Sequence, residues 1–135
     1  MIDGILLNDG AKINFIKGLI RVAKADGVVE DEEYVFYMDM AEAFKLDEKA
    51  VEELDEYRKS DKKDPVIFET TKEKIYFIVQ AINQAWSDNN YTQDEKDELT
   101  AIAQEMGISC DVLEKIEKIS AGREISDSEC MKLLN

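Results

Sequence analysis

Histidine is absent from the 135 residues. That absence removes the Ser-His-Asp and Cys-His nucleophilic arrangements, zinc enzymes with histidine ligands and the Glu-x-x-His di-iron bundle. An enzyme built on this chain would have to work with carboxylates, lysine, tyrosine or cysteine alone. Cysteine occurs twice, at Cys110 and Cys130, too few for a disulfide framework. No basic residue is placed to lower their pKa, so both are expected to be ordinary buried thiols. No apolar run approaches the roughly 20 residues that span a bilayer, so direct membrane insertion is not expected. The start, Met1 to Asn8, has neither the basic region nor the long apolar stretch of a signal peptide. With the reduced thiols, this points to the cytoplasm.

Positive charge is scarce. Lys and Arg number 17 against 31 Asp and Glu, a formal net charge of −14. Nucleic acid and anionic lipid are held through Lys and Arg clusters, and none stands out, so neither is an expected partner. A cation or a basic surface on another protein is what this charge attracts, although acid of this kind also serves solubility. The length fits one domain, residues 1–135. A chain of this size buries about two-thirds of its unfolded surface, so it needs no metal merely to fold.

What is present is helical periodicity interrupted by stop signals. Asn8-Asp9-Gly10 is a turn with Asp9 as a candidate cap. From Ala11 to about Ala25, Ile13, Ile16, Ile20 and Ala23 recur at helical spacing, with Phe15, Leu19 and Val22 widening the stripe. Asp26-Gly27 stops this helix. A second helix is expected from near Glu30 to about Phe44, its first turn holding Asp31, Glu32 and Glu33, which suit a helix N-terminus. Its core stripe is expected to be Val35, Met38, Ala41 and Phe44, with Tyr37 and Met40 alongside. Asp47 caps a third helix using Ala50, Val51, Leu54 and Tyr57. After the connector Lys59–Lys63, Asp64-Pro65 predicts a short helical turn to about Glu69. Thr70 and Glu73 form a capping box for a long helix. Thr92 with Glu95 opens the next, and Gly107 stops it. Ser109 caps a helix carrying Val112, Leu113, Ile116 and Ile119. Ser126 with Glu129 opens a short last one.

The long helix repeats the first. Ile75, Phe77, Ile78, Ile82 and Ala85 stand where Ile13, Phe15, Ile16, Ile20 and Ala23 stand, and nine of the 44 positions from Ile13 to Glu56 are identical in Ile75 to Lys118 without a gap. Matched apolar phases and stop signals support the duplication better than that count does. The expected fold is therefore all-α, a compact bundle of two three-helix repeats, about 13–56 and 75–118, each covering the apolar face of the other.

The stretch Ala23-Lys24-Ala25-Asp26-Gly27, followed by Glu33 and by a second acidic turn at Asp88, resembles the TerB-like family associated with bacterial tellurite resistance and related stress systems. The resemblance spans roughly residues 11–120. It implies a compact bundle of about seven helices with pseudo-twofold internal repetition. It also implies a non-enzymatic role in metal-ion sensing or in scaffolding a membrane-associated complex. The chain departs from the family pattern at Val28, where relatives often carry acid, and at Asn89, Thr92 and Gln93, which replace Gly27, Glu30 and Asp31 of the first copy.

Two sets of residues are candidates for function. Asp26, Glu30 and Glu33 at the first turn, with Asp88, Asp94 and Glu95 at the second, would face each other across a pseudo-twofold axis. Oxygen-only ligands of this kind suit Ca²⁺, Mg²⁺ or Mn²⁺. The residues fit only half of an EF-hand loop, since Val22 and Lys24 fall where two of its ligands belong. Capping and turn formation would equally account for nearly all of these acids. Tyr34, Tyr37 and Trp86 are candidate interaction residues, for a protein partner or a homodimer. Three functional readings stay open: a TerB-like protein-interaction module with an accessory divalent cation, a dedicated cation-binding protein, and a carboxylate-based hydrolase.

Overall fold

In the computed structural model, helix α1 runs from Asp9 to Ala23, two residues earlier than the periodicity predicts. Asn8, not Asp9, is its cap: the Asn8 side chain accepts from the Ala11 amide at 2.8 Å. The structure describes residues 4–27, 29–87 and 91–135. Among them a single 3₁₀ turn, Lys24–Asp26, follows α1. Six more helices complete the bundle: α2 (Asp31–Ala43), α3 (Glu48–Lys59), α4 (Thr71–Ser87), α5 (Gln93–Glu105), α6 (Cys110–Ser120) and α7 (Asp127–Leu134). No strand occurs among the described residues, as the all-α reading requires. The start of α5 lies 62 residues after that of α2, and so does its end.

Helices α1 and α4 cross at the centre. Phe15, Ile16 and Ile20 of the first and Tyr76, Phe77, Ile78 and Ile82 of the second have no solvent exposure. Phe15 stacks on Tyr76 with ring centroids 5.4 Å apart and meets Phe77 edge-on. Around this pair α2 and α3 pack on α1, while α5, α6 and α7 pack on α4. One contiguous core results.

Local chemistry explains most helix ends. Asp47 caps α3 and Ser109 caps α6 through their side chains, satisfying amides that a helix start leaves unpaired. Capping boxes open α2, α5 and α7. Glu73, buried, accepts from the Thr70 amide at 3.1 Å and from the Leu7 amide at 3.2 Å, which ties the segment before α1 to the start of α4. Asn83 grips the backbone of Ile125 with both amide atoms and so seats the α6–α7 loop on α4.

Three expectations are corrected. Val35 and Met38 are not core: they are 54 % and 45 % exposed, and the buried face of α2 is Tyr34, Tyr37, Met40 and Ala41. The tyrosines win because each buries a large ring and still finds a polar partner for its hydroxyl. Tyr34 donates to the Val51 carbonyl, and Tyr37 is bonded to Gln84. The helical turn expected after Asp64 does not form. The Asp64 carboxylate instead pairs with Lys17 at 2.8 Å, and Val66 and Phe68 bury while Ile67 between them is 66 % exposed, the alternation of an extended segment. Cys110 is exposed rather than buried; only Cys130 is enclosed.

All five tyrosines are buried. Burial, with Asp55 nearby, pushes the Tyr34 phenol from its ordinary value near 10 up to about 12. Burial raises Tyr57 and Tyr91 as well, Glu117 adding to the shift at Tyr91. The Cys130 thiol is pushed up to about 11, again chiefly by burial. These groups hold their protons more tightly folded than unfolded, so the stability they contribute is complete below about pH 9 and drains away as pH rises through 11 and 12. Phenolate absorbance should therefore rise together with loss of helical circular dichroism above about pH 11. Independent phenolate titration near pH 10 in a folded protein would contradict this burial.

Candidate functional site

The first acidic turn is built by three devices in sequence. The 3₁₀ turn ends on Gly27, whose φ of 136° is open to glycine and strained for any other residue. Glu30, itself extended, caps α2. The Glu30 amide donates to Glu33 at 3.3 Å while the Glu30 side chain accepts in return. At the start of α5, Thr92 and Glu95 repeat the arrangement, at 3.0 Å and 3.1 Å. Thr92 also joins the two places. Its Oγ1 lies 3.0 Å from Asp26 Oδ2 and 3.1 Å from Glu95 Oε1, and its one proton serves either acceptor.

Asp26, Glu33 and Glu95 thus line one cavity. Glu30 and Asp94 do not line it, and Asp88 lies outside the described residues. Among the described residues no group of three or more acidic or thiol side chains is arranged to hold a metal ion. Glu33, Glu95 and Asp26 direct their oxygens to backbone amides and a hydroxyl instead.

The cavity measures about 390 Å³. Its floor is apolar: Leu19 and Val22 of α1, and Ala81 and Ala85 of α4. Its rim is acidic, with Glu32 added to the three acids above. Phe36 stands in the wall at 50 % exposure. A second cavity of about 430 Å³ adjoins it, sharing Leu19, Phe36, Gln84 and Ser87, and reaches Trp86 and Glu124 at the α6–α7 loop. Together they make a groove along α4 with acid at both ends. It exists because α2 and α4 both pack on α1 while meeting each other, among the described residues, mainly through Tyr37 and Gln84, and because alanine at positions 81 and 85 leaves the floor low. Gln84 lies between the two cavities. Its amide nitrogen is given to Tyr37, and its buried Oε1 has no hydrogen-bond partner among the described residues.

Of the residues singled out for interaction, Trp86 is half-buried, edge-on to Tyr91 at 5.8 Å, and lines the groove. Tyr34 and Tyr37 are 4 % and 2 % exposed. They hold α2 in place, and Tyr37 reaches the groove only at its base. The excess of aromatic residues from Tyr34 to Met40, Phe36 among them, already suggests a protein-binding or dimer face, whereas sequence reasoning missed Glu32 and Gln84. Glu32, Phe36 and Met40 at spacing 4 share one face of α2, a signal hidden by the apolar residues around them.

No family model matches this chain, nor does any curated protein or solved structure.

Proposed function

We propose that the chain is a non-catalytic, TerB-like interaction module that binds a partner protein through the groove between α2 and α4. The observation that carries this reading is Phe36, a large ring held half in water on the wall of a cavity rimmed by acid. Exposed apolar surface that is concave and rimmed by charge marks a binding site more often than chance surface does. The family resemblance adds the setting, a bacterial stress or tellurite-resistance system in the cytoplasm.

The module is read as two three-helix repeats related by a pseudo-twofold axis. Several features support this reading. Helices α2 and α5 share their limits at a constant offset. Both open with a capping box. Lys45 and Gly107, at that same offset, both take positive φ just beyond them. Phe15 with Phe77, Ile16 with Ile78 and Ile20 with Ile82 are fully buried pairs.

A photo-crosslinking amino acid placed at position 36, and separately at the more exposed position 67, which lines neither cavity, tests the proposal in living cells. Position 36 should give one discrete, reproducible adduct and position 67 none. Equal adducts from both positions, or none from 36, would sink the interaction reading.

A further inference from the structure

We infer that the occupant of the groove is a basic amphipathic helix of the partner protein, its apolar face seated against Phe36 and Trp86 and its Lys or Arg side chains against the acidic rim. The inference rests on the interaction reading above and gives it a chemistry. Shape comes first. Helices α2 and α4 lie on α1 and are bridged at the base of the groove by Tyr37 and Gln84, and a helix laid over that seam would dock in the helix-in-groove manner. The two cavities, about 390 and 430 Å³, lie side by side and share Leu19, Phe36, Gln84 and Ser87 in their walls, which suits an elongated ligand with successive anchors rather than one small molecule.

Charge decides the ligand's sign. Asp26, Glu32, Glu33 and Glu95 stand at one end of the groove and Glu124 at the other, and among the described residues no Lys or Arg lines either cavity. A segment carrying acid would meet repulsion at both ends. A cationic one would be drawn in, and drawn faster at low salt, by a protein of net charge −14.

Trp86 is the single tryptophan and lines the groove, so its emission reports occupancy directly. The probe is a fluorescein-labelled 18-residue helical peptide of leucine and lysine with one apolar face. Its counterparts are the same peptide with glutamate for lysine, and oligolysine of equal charge. The leucine–lysine peptide should bind the full chain with a blue shift of Trp86, the glutamate form should not, and oligolysine should bind at least tenfold more weakly. Phe36→Ser should weaken binding at least tenfold and Glu32→Lys about fivefold, while Ile67→Ser leaves it unchanged. Circular dichroism confirms that each variant is folded. Binding that ignores Phe36→Ser and Glu32→Lys, or that the glutamate peptide or oligolysine matches, would overturn the inference, as would no binding at all. A dimer by sedimentation that Phe36→Ser dissolves would also overturn it, because the occupant would then be a second copy. The interaction reading would survive that result and is tested separately by the crosslink at position 36.

Discussion

Arg21→Met is expected to cost about 3 kcal/mol of stability, the low end of what removing one member of a buried ion pair costs. Arg21 lies on α1 with 6 % of its surface exposed, and Glu98 on α5 has 8 %. The Arg21 Nε donates to Glu98 at 2.6 Å, and its Nη1 reaches Glu105 at 2.8 Å and the Asp64 carbonyl at 3.3 Å. One guanidinium therefore fastens α1, α5 and the α3–α4 linker. Methionine keeps the packing volume of the arginine stem but strands the Glu98 carboxylate. Lys63 lies 3.2 Å from Glu98 but is 62 % exposed, so it compensates only in part. The low end of the range applies for that reason. Arg21→Met with Glu98→Leu removes both charges and should recover most of the loss, since apolar replacement of a whole buried pair is often neutral. Denaturant midpoints at unchanged slope measure both variants. A single variant within about 0.5 kcal/mol of the parent would mean that Glu98 is solvated, against its burial.

The contrast between α2 and α5 shows what sequence can carry. Caps are read locally, because one side chain and an amide two or three residues on decide them. Asp47, Thr92, Ser109 and Ser126 act where the sequence places them. The phase of α2 is a different problem. Tyr34 through Met40 offers apolar or aromatic residues nearly all round the helix, so no period singles out a face. Val51 and Gln84, 17 and 47 residues from their tyrosine partners, settle it by accepting or giving a hydrogen bond. Such long-range partners have no local signature. The candidate site divides the same way. That acid collects at the turns is visible in the letters, but most of it is engaged in capping. The groove depends on two alanines of α4 and on the seam between helices distant in sequence, and neither was legible before the chain was folded.

Gly18 is the second position where a large effect is expected, and here the cause is closeness rather than charge. A Cβ built at Gly18 would stand 2.5 Å from the Phe77 ring, about an ångström inside ordinary carbon–carbon contact. The ring has nowhere to retreat. It is fully buried, held edge-on by Phe15 at 6.1 Å and by the tilted ring of Phe68 at 5.8 Å. Glycine within a helix costs roughly 1 kcal/mol relative to good helix formers, so replacing it elsewhere would stabilise. At this crossing the overpacking penalty of roughly 1–3 kcal/mol or more competes with that gain. Gly18→Leu adds three further carbons beyond the Cβ and should lose about 3 kcal/mol net, with Gly18→Ala losing about 1. The decisive measurement is a double-mutant cycle. Phe77→Leu alone destabilises by opening space, yet combined with Gly18→Ala it should cost less than the two single losses together, by at least about 1 kcal/mol of coupling. Additive losses would place the ring away from α1 and break the close α1–α4 crossing on which the central core depends.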